Sequence, residues 1–147
     1  MINEILNRLV EIFREIESFR GSDGTVRVYD YETSMVEGYP AVMIMAMRGE
    51  EEVLDNRRNL MRHQFLVRVI QEKIPEEEGG FGPQKAERIS RQRADEVIRT
   101  FHQDNDLGLE GVVRTTISSY EFGKHPTEPR IMIDFIITVE TVEEVKP

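Results

Sequence analysis

The sequence predicts an α+β fold: one mainly antiparallel sheet of about five strands with two helices packed on it, in the order α-β-β-β-α-β-β. Three observations lead there. Apolar residues recur at helical spacing in two separate stretches, one at the N-terminus and one after Pro83. Residues 58 to 73 and 130 to 142 alternate with the two-residue period of strands. The strands also come in runs, three and then two, instead of alternating singly with helices.

Residues 2 to 19 read as the first helix, with Ile2, Ile5, Leu6, Leu9, Ile12, Phe13, Ile16 and Phe19 on one face and Glu4, Arg8, Glu11, Arg14 and Glu15 on the other. Gly21 stands where a left-handed cap belongs, and "GSDG" is a turn. Residues 25 to 31 are a short strand. Pro40, which has no N–H to donate, opens the next strand, "PAVMIMAM", and "RGEEEVLDN" continues or turns it. A long strand over 58 to 73 places Met61, His63, Phe65, Val67 and Val69 on one side. After the loop "IPEEEGGFGPQ", Pro83 suits the first turn of a helix that runs to about His102. Glu87 with Arg91, and Asp95 with Arg99, are spaced to pair along its exposed face. Strands over 112 to 122 and 130 to 142, joined by "GKHPTEP", close the chain.

A chain of 147 residues without repeat, linker or low-complexity stretch reads as one domain, 1–147. Its net charge of −9 argues against sequence-independent nucleic-acid binding and against docking on anionic lipid. The absence of cysteine excludes disulfides, thiolate metal sites and a Cys nucleophile. The longest apolar run, Ala41 to Met47, falls far short of the ~20 residues of a membrane helix. Charges interrupt the apolar positions of "MINEILNRLVEIF", so a signal peptide is not expected.

No catalytic, cofactor-binding or metal site is legible. His63, His102 and His125 lack ligand spacing, and each reads as structural or solvent-facing. "EEEGGFGP" has the glycines of a phosphate loop but not its Lys-Ser/Thr, and its glutamates would repel phosphate. "DNDLGLEG" fails the calcium-loop pattern, with Gly108 and Leu109 at the fifth and sixth positions and Thr115 in place of the bidentate glutamate. Asp134 and Glu140 share a strand face too far apart to couple, and are expected to be solvated or at a subunit contact. For the arginines 57, 58, 62, 68, 88, 91, 93 and 99 two readings stay open: balance for surface acids, or a charged interface.

"PAVMIMAM" is apolar on both faces. Val42, Ile44 and Ala46 alternate with Met43, Met45 and Met47. Either one helix covers each face of the sheet, or a neighbouring subunit covers the methionines, which adapt readily to contact surfaces. The second is the expectation, with a helix on the opposite face. A ring of identical subunits would also protect the sheet edges.

The element order, together with "VYDYETSMVEGYPAVMIMAM", "LDNRRNLMRHQFLVRVIQEK" and a charged helix leading into a hairpin, resembles the tail-terminator (tail-completion) proteins of long-tailed bacteriophages over nearly the whole chain. The resemblance implies a non-enzymatic virion protein without cofactor, assembled in the bacterial host cytoplasm. It implies a hexameric ring that caps the tail tube, contacts the tail tube protein and a head-completion protein, and lets DNA through its hole without specific binding. Another connector, a stopper or adaptor, or a non-viral dimeric ligand- or protein-binding module, is the alternative. The interface candidates come from the residues themselves: Met43, Met45, Met47, Arg57, Arg58, Glu76, Glu77, Glu78 and Phe81.

Overall fold

In the computed structural model of the protein, the described residues are 1 to 73 and 82 to 145. Helix α1 (Ile2–Arg14) buries Ile5, Leu9, Val10, Ile12 and Phe13, the stripe its spacing predicts. It ends earlier than the expected residue 19. Ile16 is extended, and a short 3-10 turn follows at Glu17–Phe19. The departure has a packing reason. It drives Ile16 and Phe19 into the core, where Phe19 sits 6.1 Å from Phe13, centroid to centroid. Gly21 is therefore not the helix cap. The left-handed residue is Gly24, φ 82°, in the turn that follows.

The strands are β1 (Arg27–Tyr29), β2 (Ala41–Val53), β3 (Arg58–Ile70), β4 (Val112–Lys124) and β5 (Ile131–Glu144), with helix α2 (Gly82–Gln103) between β3 and β4. They form one five-stranded sheet in the order β1-β2-β3-β5-β4. β1 runs parallel to β2, and every other neighbouring pair is antiparallel. This is the expected α+β architecture. The "RGEEEV" segment continues β2, so β2 and β3 make a long hairpin. At its tip the Asp55 carboxylate accepts the backbone N–H groups of Arg57 and Arg58 at 2.8 and 2.9 Å, and this fixes the turn.

Both helices lie on the same face of the sheet. Their apolar stripes meet at Phe13 and Phe101, 5.7 Å apart, and join Val42, Ile44, Phe65, Val67, Val69, Ile133, Phe135 and Ile137 in one core. The arrangement with one helix on each face does not occur, because merging the two stripes gives each ring apolar neighbours on several sides. Two arginines tie the helices down. Arg8 donates to the Leu107 carbonyl at 2.9 Å and pairs with Asp104 at 3.3 Å. Arg93, 5% exposed, donates twice to the Ser18 carbonyl and pairs with Glu72 at 3.1 Å. Arg93 is thus neither surface balance nor interface charge. Of the helix-face pairs expected from spacing, Glu87–Arg91 forms at 3.8 Å, whereas Asp95–Arg99 is not an ion pair among the described residues.

Candidate assembly surface

The face of the sheet opposite the helices carries the alternate residues of each strand, and the register arranges them in rows. Ala41, Ile70, Met132 and Gly123 form one row, and Met43, Arg68, Asp134 and Glu121 the next. Then come Met45, Leu66, Ile136 and Ser119, followed by Arg48, Gln64, Thr138 and Thr116. Below these, Glu50, Arg62, Glu140 and Arg114 form a row of alternating charge.

The upper rows are covered by the chain itself. The connection from β1 to β2 reaches over them: Glu32 lies 4.0 Å from Arg68, and Arg130 stacks 3.6 Å above the Tyr39 ring. Under this cover Met43 is only 2% exposed. The Met43 end of "PAVMIMAM" is thus buried within the chain itself. The cover ends below that row. Met45, Leu66 and Ile136 are each half-buried, an apolar strip that no helix covers among the described residues.

Met47 departs from the expected alternation. A β-bulge falls between Ala46 and Arg48, so Arg48, not Met47, takes the next ladder position, opposite Gln64. Met47 is left 48% exposed. The bulge lies along a free edge, because β1 pairs only with residues 41 to 43 of β2. From Ile44 to Val53 the outer side of β2 has no strand beside it among the described residues. Every residue from Ala46 to Arg58 is exposed, including Val53 at 73%.

The other candidates separate. Arg58 closes the hairpin turn by pairing with Asp55 at 2.7 Å. Neighbouring Arg57 accepts the Val145 N–H on its carbonyl, and its guanidinium has no ion pair among the described residues. Both lie at the tip, far along β2 from the Met43 row. Glu76, Glu77, Glu78 and Phe81 lie outside the described residues.

Asp134, expected to be solvated or at a subunit contact, instead accepts two hydrogen bonds from Arg68, at 2.9 and 3.1 Å. That hydrogen bonding, with the Coulomb attraction of Asp134 and Glu32, raises the Arg68 pKa against the opposing effect of burial. Glu140 lies 3.7 Å from Arg62, which also holds Glu52 at 2.8 Å. His63 is 7% exposed, on the helix side, with Nε2 3.3 Å from the Thr141 hydroxyl. Burial pushes its imidazole pKa down. His125 Nδ1 accepts the backbone N–H groups of Thr127 and Glu128, each at 3.2 Å. Among the described residues no cluster of three or more His, Cys, Asp or Glu side chains could hold a metal. No described helix is long and apolar enough to cross a membrane.

The residues that sequence reasoning missed are at the sheet edges. Tyr120 and Phe122 are 52% and 42% exposed on β4, in edge-to-face contact at 6.0 Å. Their alternation is legible, but their place on an edge strand is not.

No protein-family model matches this sequence, and no curated protein matches it. The fold has a solved counterpart. A chain from the virion of a native gene transfer agent particle superposes with a TM-score of 0.56 at 13% identity, over 95% of this chain and 92% of that one.

Proposed function

We propose that this chain is a structural component of a phage-like virion: a tail terminator whose copies close into a hexameric ring. The ring caps the tail tube and joins it to the head-completion proteins, and its role is architectural, not catalytic. The observation that carries this reading is the outer half of β2. It combines an open strand edge, a half-buried Met45 and an exposed Met47 in a fold shared end to end with a virion chain. A monomer gains nothing from a long unprotected edge, whereas a ring closes it.

In this ring Met45 and Met47 face a neighbouring subunit, and the hairpin tip with Arg57 and Arg58 projects toward a partner along the tail. DNA passes through the centre without specific binding, since a chain of net charge −9 offers phosphates few counter-charges. Electron microscopy tests the proposal: the purified chain is imaged alone and after mixing with tail tubes of a long-tailed phage-like particle. Six-fold rings, free or seated on tube ends, are the expected result. Bare tube ends and featureless monomers would overturn it.

A further inference from the structure

Among the described residues the sheet has two open edges, and their residues match each other better than either matches itself. One edge is the outer side of β2 from Ile44 to Val53, and the other is β4. The β2 edge carries Glu50, Glu51 and Glu52 against a single Arg48, so two copies meeting there across a two-fold axis would oppose like charges. The β4 edge carries Arg114 and Lys124 against Glu121.

The charged row makes the match specific. Across the sheet it reads Glu50, Arg62, Glu140, Arg114, beginning acidic at one edge and ending basic at the other. Arg114 is exposed and has no ion pair among the described residues, while Glu50 pairs with the neighbouring Arg48 at 2.8 Å and faces Arg62 across the ladder. Setting a second copy beside the first at the same level places its Glu50 next to Arg114, and the alternation continues unbroken.

The helix side offers a second match. Phe122 and Tyr120 lie level with Val42 and Ile44, reading across the register through β5 and β3. At the opposite edge that level holds a cleft between α1 and β1, lined by Val10, Val28, Tyr29 and Tyr31 and rimmed by the polar Asn7, Glu11, Arg14 and Asp30. The bulge between Ile117 and Ser119 bends β4 just before its aromatic pair. The strand can therefore pair below β1 and then turn its aromatics into the cleft.

We infer that residues 112 to 117 of β4 pair antiparallel with residues 46 to 51 of β2 in a second copy of this chain, with Tyr120 and Phe122 seated in that copy's α1–β1 cleft. The antiparallel sense follows from the fold. β2 and β4 run in opposite directions within one sheet, and rotation about an axis along the strands preserves those directions. The contact is head-to-tail, so its repetition closes the proposed ring where the rotation between copies divides a full turn, and otherwise runs on as a filament. It rests on the ring proposed above and names the partner of the β2 edge.

Cysteine cross-linking tests it on a background without native cysteine. Glu50→Cys and Arg114→Cys are combined in one chain and oxidised. Directly opposed antiparallel residues sit about 4.5 to 5.5 Å apart between Cα atoms, inside the roughly 4.4 to 6.8 Å span of a disulfide. The expected product is an intermolecular ladder ending in a closed species. The control pair Arg57→Cys with Arg114→Cys gives none. A second variant, Phe122→Asp, remains folded and weakens association about tenfold or more, the scale of burying an unpaired charge at an interface. Oligomers that form without the 50–114 cross-link would overturn the edge pairing and leave the ring standing. A chain that is monomeric by light scattering at every concentration and yields no cross-link would overturn both.

Discussion

Ile44 and Met45 are neighbours in β2 and live in different environments. Ile44 faces the helices and is fully buried, whereas Met45 faces away and is half-buried at the edge of the loop cover. Phe135 and Asp134 repeat the contrast on β5, one in the core and the other in an ion pair with Arg68. Among the described residues the same sheet thus has one face finished by its own helices and another covered only at one end. On the helix side, burial supplies folding energy at roughly 25 cal/mol per Å2 of apolar surface. On the open side, cross-strand pairs such as Arg68 with Asp134 bridge neighbouring strands, and Met45, Leu66 and Ile136 stay half-buried.

The comparison breaks most visibly at the core. Phe135→Ala removes a fully buried ring and should lower unfolding stability by about 3 to 5 kcal/mol, read from denaturant melts. The tie between α2 and the 3-10 turn is next. Arg93→Ala loses the Ser18 and Glu72 contacts and should cost about 2 kcal/mol, with the earliest hydrogen exchange around residues 17 to 20. On the open face, Asp134→Asn weakens a partly exposed pair and should cost about 1 kcal/mol or less, a loss that salt reduces further in the parent chain.

The smallest effect is a pH dependence. Burial holds His63 below its ordinary value of 6.5, so the unfolded chain binds this proton first as pH falls. The contribution is complete above that value and is lost progressively between it and the folded-state pKa. Glu143 opposes the shift, and the N-terminal ammonium reinforces it. His63→Gln should flatten the stability profile in that window while leaving it unchanged near pH 8.

Sequence periodicity located α2 and the starts of β3 and β4 to within about a residue, because apolar spacing and Pro83 act locally. It overran α1, since only tertiary packing explains why Ile16 and Phe19 leave the helical path. It left the continuation of β2 open, because "RGEEEV" is polar on both sides and strand pairing with β3 is what holds it extended. The pairs Arg68–Asp134 and Arg62–Glu140 depend on register across strands far apart in the chain, which no local pattern encodes. The methionines were readable as an excess of apolar surface. The burial of Met43 was not, because the loop that reaches Arg68 through Glu32 and Arg130 through Tyr39 has no period.

The proposed ring requires the outer half of β2 to be an association surface and not unfinished core. Light scattering over a wide range of protein concentration, on the parent chain and on Met45→Glu, tests it most directly. The account predicts a parent that climbs toward a hexamer and a variant that stays monomeric with a nearly unchanged melting transition. A parent that is monomeric throughout, with a Met45→Glu variant that fails to fold, would contradict it.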